Sequence, residues 1–164
     1  MNMKRFLIFA FLLMPLAINA RGYKLIMKEP VQRDDCVYSD WSVVISFEWS
    51  EYKNYGITVN IKNESDSRIY VEWENARIED EPICFDNDNS FTYRDRKADE
   101  VVHAGSTCKR FIARQSEMEI DGRELFYTKY AKEYGEAGGR DFIIPIRIGD
   151  EVRDYKFTLT IRKE

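Results

Sequence analysis

The sequence predicts an all-β fold: an immunoglobulin-like antiparallel β-sandwich of about seven strands, with a small β-barrel as the alternative. Three observations carry this. Apolar residues recur at every second position through several separate stretches, as in a strand with one face on a core and the other in water. The stretches are short and bounded by polar turn formers, the habit of sandwiches and barrels. Of the 164 residues, the first 20 read as a leader and the remaining 144 match the size of one domain. No repeat, low-complexity tract or linker divides them.

The leader comes first in the chain. Lys4 and Arg5 precede an apolar run from Phe6 to Ile18, broken only by Pro15, and Asn19-Ala20 then places a small residue before Arg21. This order is that of a secretory signal peptide. The run is shorter than the roughly 20 residues a spanning helix needs. The expectation is therefore an exported chain, periplasmic or secreted, cut near residue 20 and followed by one domain over 21–164. No second long apolar segment exists, so no membrane span is expected.

The strands follow in order. Val43, Ile45, Phe47 and Trp49 form one alternating set, Ile57, Val59 and Ile61 a second, and Ile69, Val71 and Trp73 a third. Residues 63–67, Asn-Glu-Ser-Asp-Ser, are turn-forming and predict a hairpin between the second and third. Arg77 to Phe85, Ser90 to Tyr93, Val101-Val102 and Arg110 to Ile112 add shorter strands. Phe142, Ile144, Ile146 and Ile148 form one C-terminal set and Tyr155, Phe157, Leu159 and Ile161 another, with Gly149-Asp150 as the turn between them. Pro145 has no N–H to give a ladder, which predicts an edge or a bulge there. Between these blocks, 125–136 reads either as a short helix, with Phe126, Tyr130 and Tyr134 four apart, or as an irregular loop.

One stretch carries a resemblance. The order Ile57-Thr58-Val59-Asn60-Ile61-Lys62-Asn63, then Ser67 to Trp73, then Val102-His103-Ala104-Gly105 resembles uncharacterised exported bacterial proteins, often lipoproteins. Those are single β-sandwich domains with no assigned activity. The likeness implies the fold and supplies no mechanism. The lipid-bearing cysteine of such lipoproteins has no counterpart after the leader.

Charge excludes some partners. Without Lys4 and Arg5, 23 basic residues face 29 acidic ones, a net charge of −6. With no basic stripe, nucleic acid is not an expected partner. Three cysteines remain. In an oxidising compartment they are expected to pair, and Cys84 with Cys108 is the favoured bridge because both lie in apolar, strand-like surroundings. Cys36 could pair instead, or link two molecules.

No catalytic constellation stands out. His103 is the sole histidine, and Cys108, five positions on, falls on the opposite face of a regular strand. No cofactor is expected. Asp86 and Asp88 have the alternation that opens a calcium loop, but Phe91 and Lys97 occupy the positions where the helix–loop–helix form needs Gly and Glu. A looser site would use Asp86 and Asp88 with Glu79, Asp80 or Glu81. Asn63-Glu64-Ser65 matches a glycosylation acceptor.

Aromatic residues make up 14% of the chain, and they give the surface its functional slant. Trp49 and Trp73 are in phase with apolar neighbours and read as core. Tyr70 falls on the polar face of its strand, and Tyr52 and Tyr55 are the other notable tyrosines. On one exposed face these three would stack on sugars. The leading expectation is a non-enzymatic envelope domain that binds a protein partner through its surface or a sheet edge. A carbohydrate-binding module is the alternative, and a hydrolase trails both.

Overall fold

The computed structural model describes residues 22–88, 92–119 and 123–164, without the side chains of 118 and 119. The expected leader, residues 1–20, and its expected cleavage point lie outside the described residues.

Among the described residues, eleven strands and two helices follow one another. They are β1 (Tyr23–Glu29), β2 (Val37–Ser39), β3 (Val43–Glu48), β4 (Gly56–Asn63), β5 (Ile69–Val71), β6 (Arg77–Ile78), β7 (Glu81–Phe85), β8 (Glu100–Val102), β9 (Thr107–Arg114), α1 (Gln115–Glu119), α2 (Thr128–Tyr134), β10 (Arg140–Ile148) and β11 (Glu151–Lys163). Every pairing is antiparallel. The ladder runs β1-β11-β10-β6-β7-β9-β4-β3-β2, with β5 pairing β10 and β8 to one side. The fold is all-β, and its sheet curls until it is nearly a closed barrel. The expected seven or so strands become eleven because β1 and β2 precede the first alternating set and 77–85 divides into β6 and β7.

The alternation read from the sequence fixes which faces are buried. Ile57, Val59 and Ile61 of β4 are inside, as are Phe142, Ile144 and Ile146 of β10 and Phe157, Leu159 and Ile161 of β11. Phe47 of β3 joins the two halves of the wall, meeting Phe157 at 4.9 Å and Phe142 at 5.9 Å between ring centres. Trp73 is 1% exposed, with its indole N–H donated to Glu100 and its ring edge-on to Phe85. Trp49 is only half-buried, between Tyr23 and Phe126.

Several expectations are corrected. The turn at 63–67 does not close a hairpin. β4 pairs β3 and β9 while β5 pairs β10 and β8, so the turn carries the chain from one part of the wall to another. The buried Asn63 holds this crossing. Its side-chain NH2 donates to the carbonyls of Ser67 and Val102, and its oxygen accepts from the N–H and hydroxyl of Ser65. With the amide so engaged, Asn63 is not presented as a glycosylation acceptor.

Pro145 is neither at an edge nor in a bulge. It lies opposite Asp154 in the middle of the β10–β11 ladder. On its other side the partner changes from β6, at 142–143, to β5, at 146–148. The proline sits in that gap, where its missing N–H breaks no ladder bond and its carbonyl takes the N–H of Glu72.

The Gly149-Asp150 turn is as expected. Ile148 pairs with Glu151 across two residues, and positive φ occurs at Gly149 alone, the type II′ pattern that suits strand twist. The segment 125–136 does form a helix, α2. Gly135 ends it in the left-handed conformation, with its N–H on the carbonyl of Ala131. The buried face differs from the spacing: Ala131 points inward, while Tyr130 and Tyr134 are exposed and stack on each other at 4.5 Å.

The expected Cys84–Cys108 bridge is absent, and all three cysteines are free and buried. Cys84 pairs with Ala113 across β7 and β9, whereas Cys108 pairs with Ile61 across β9 and β4. Five positions of β9 separate Ala113 from Cys108, roughly 16 Å at the rise of a strand. That is far beyond the roughly 7 Å a disulfide spans.

Candidate functional site: the open edge of the last strand

The residues singled out from the sequence do not assemble into one site. Tyr52 is 99% exposed, in the turn of 51–53. Tyr55 is half-buried, edge-on to Phe111, with its hydroxyl donated to Asp86. Tyr70 lies at the other end of β4, beyond Asn63, and is half-buried under the guanidinium of its cross-strand partner Arg147, 4.2 Å from the ring centre. The eight residues of β4 place roughly 23 Å between the two tyrosine sites. A shared aromatic face built on Tyr52, Tyr55 and Tyr70 is therefore not formed.

The acidic loop is also engaged. Asp86 pairs with Lys53 at 2.7 Å, and this lysine, with the Tyr55 hydroxyl, holds its carboxyl below the usual carboxylate range. Asp88 accepts from the N–H of Phe85 and from the buried Lys97. Glu79 and Glu81 face Arg114, and Glu79 also binds Arg140. Among the described residues no three His, Cys, Asp or Glu side chains are grouped to hold a metal. Asp86 and Asp88 are thus each engaged by a lysine. His103 is exposed and Cys108 buried, and no contact between them is formed.

A different feature emerges at the two ends of the sheet. β11 is thirteen residues long, and β10 covers 151–159 on one side. On the other side β1 covers only 158–163. β1 leaves early for two local reasons. Its register shifts between Met27 and Glu29, a bulge that bends an edge strand away. Pro30, which has no N–H, follows, and the chain then folds back so that Met27 and Arg33 exchange backbone hydrogen bonds.

Residues 152–157 of β11 are thus an edge. The two-residue turn makes Ile148 and Glu151 a hydrogen-bonded pair, so odd-numbered residues of β11 face β10 and even-numbered residues face away. The N–H and C=O groups of Val152, Asp154 and Lys156 point outward, and among the described residues none has a backbone partner there. Their side chains are exposed, while Tyr155 and Phe157 point inward.

A groove of about 360 Å³ runs along this edge, between Pro30, Tyr38, Asp40 and β11 from Arg153 to Phe157. Its floor is aromatic: Tyr38 of β2, the far edge of the ladder, meets Tyr155 and Phe157 edge-on at 5.9 and 5.7 Å. Its rim is polar. The Tyr155 hydroxyl donates to Asp40 at 3.0 Å. Burial alone would raise the Asp40 carboxyl, but the N–H groups of Ser42 and Val43, the Ser42 hydroxyl and Tyr155 outweigh it and hold the group below the usual range. Burial, then the Asp40 charge, pushes Tyr155 upward. Arg153 pairs with Glu151 and lies over the ring of Trp41, which is 70% exposed.

The alternation at 155–161 locates this strand, but nothing in the sequence of β11 says that β1 stops short of it. The bulge and Pro30 are the signal, and they lie more than a hundred residues away. Compared with known proteins, the chain matches no family model, no curated protein and no solved structure.

Proposed function

We propose that this chain is an exported, non-enzymatic interaction domain of the bacterial envelope, and that it binds a protein by accepting an extended segment at the open edge of β11. The observation that carries the reading is the row of outward backbone groups on Val152, Asp154 and Lys156, set beside an aromatic groove. Main-chain hydrogen bonds at such an edge supply affinity, and alternate side-chain pockets supply selectivity. A long uncovered edge invites unwanted pairing and is ordinarily blunted, so one kept open beside a groove points to use. The order of charge, apolar run and small residue at 1–20 supports export.

A proline tests the reading without breaking the sheet. Asp154→Pro removes an N–H that faces outward and spares the β10 ladder, whereas Arg153→Pro removes one that faces β10. With a photo-crosslinking residue at position 152, the wild-type protein in envelope extract is expected to give discrete adducts that Asp154→Pro loses while its circular dichroism is unchanged. Adducts that survive Asp154→Pro, or binding confined to a glycan array, would overturn it.

A further inference from the structure

The charges along the open edge are arranged so that the edge is its own complement. We propose that a second copy of this chain occupies it, the two β11 strands pairing antiparallel about a two-fold axis at Tyr155. This rests on the reading that the edge accepts a strand.

The argument is one of register. In an antiparallel pair centred on Tyr155, Asp154 of one copy lies opposite Lys156 of the other, and the reverse pair follows by symmetry. Both residues have their N–H and C=O turned outward, so each 154–156 pair exchanges two hydrogen bonds, and Tyr155 faces Tyr155 in the non-hydrogen-bonded position between them. Asp154 and Lys156 are both exposed and on the same outer face, where directly opposed side chains interact. Among the described residues neither has an ion-pair partner within the chain, although their neighbours Glu151 and Arg153 pair with each other.

Charge also rejects the adjacent registers. Centring on residue 154 opposes two aspartates, and centring on 156 opposes two lysines, both unfavourable. The centre at 155 fits the available length as well: it pairs 153 with 157 on either side, and Thr158, the next residue, already belongs to β1 through Glu29. The pairing uses the open segment up to that point, and the hairpin end of each copy, from Val152 back to Gly149, has to bend out of the sheet where β1 of the other begins. It also closes an edge that would otherwise be free to pair with any extended chain.

The test is charge reversal read by sedimentation equilibrium of the purified protein. The wild type is expected to show a concentration-dependent doubling of mass. Asp154→Lys and Lys156→Asp each place like charges opposite each other in both pairs and should weaken the dimer by about tenfold or more. An equimolar mixture of the two variants restores opposite charges in both pairs and should recover the doubled mass, as should the double variant Asp154→Lys/Lys156→Asp. Single variants that dimerise like wild type, or a mixture that stays monomeric, would overturn the proposal. A labelled peptide copying 151–158 separates this from the underlying reading. A monomeric protein that binds the peptide refutes the two-fold pairing and keeps strand acceptance; a monomeric protein that does not bind it refutes both.

Discussion

The hydroxyl of Tyr155 reaches from β11 to the carboxylate of Asp40 at 3.0 Å, tying the last strand to the turn between β2 and β3 across the seam of the sheet. Asp40 also takes the N–H groups of Ser42 and Val43 and the Ser42 hydroxyl. Tyr155→Phe is expected to cost about 1–2 kcal/mol in urea unfolding, and Asp40→Ala more, about 2–3 kcal/mol, because it strands several donors at once. A double-mutant cycle that returns no coupling would refute the bond.

The same carboxylate gives a pH dependence. Its folded pKa is depressed, so its contribution is present above the ordinary carboxylate range and is lost as pH falls through the folded value. The stability gap between wild type and Asp40→Asn should therefore be widest near neutrality and shrink below about pH 4. Thermal melts at several pH values measure it, and a gap independent of pH would contradict the assignment.

Trp73 and Tyr70 should separate cleanly. Trp73→Ala removes a ring buried between layers and is expected to cost about 3–5 kcal/mol. Tyr70→Ala loses chiefly the stacking with Arg147, about 1 kcal/mol. Equal losses at the two positions would mean that the outer face of β5 is covered in solution.

Burial pushes the thiols of Cys36 and Cys84 up to about 11 and that of Cys108 to about 12. The thiolate is the reactive form, so at pH 8 a thiol-specific reagent should label the native protein at least about a hundredfold more slowly than a free cysteine with pKa near 8.5. In denaturant without reductant, three equivalents should react. Fewer than three would reveal a bridge, and the free-thiol geometry would be wrong.

Asn63→Ala should be among the costlier polar substitutions. It leaves the Ser67 and Val102 carbonyls and the Ser65 N–H without their partner, and a loss of about 3 kcal/mol is expected from stranded buried groups. Asn63→Asp should be no better, since it presents a carboxylate to two carbonyls. A chemical denaturation midpoint unchanged in both variants would remove Asn63 from its role as the holder of the crossing.

How much of this was legible follows from what each signal encodes. Period-two alternation reports which side of a strand is buried, and at Ile57-Val59-Ile61 and at Tyr155-Phe157-Leu159-Ile161 it places the inward face correctly. It carries no information on which strand lies alongside. The turn formers at 63–67 thus read as a hairpin, although the buried amide of Asn63 uses them for a crossing. β1 has no such mark, because Leu25, Ile26 and Met27 are a continuous apolar run with no alternation. Cys84 and Cys108 share an apolar setting but different neighbours, and proximity is a property of register. The open edge is legible only by subtraction, since it is the part of β11 that β1 does not reach.

β1 and β11 are neighbours in the sheet and nearly the whole chain apart in sequence, with Tyr23 opposite Lys163. Among the described strands β1 is therefore made first and has no ladder partner until β11, the last of them, is made. Every other described strand, β2 with β3 included, can find a partner between residues 37 and 159, so the barrel wall can assemble with 23–29 still loose. Pairing at such separation is slow, because the loop must close before any contact rewards it. Until β1 docks, the whole length of β11 is bare on that side. The N-terminal strand thus acts as a ruler laid down last, and where its bulge falls determines how much of β11 stays available once folding is complete.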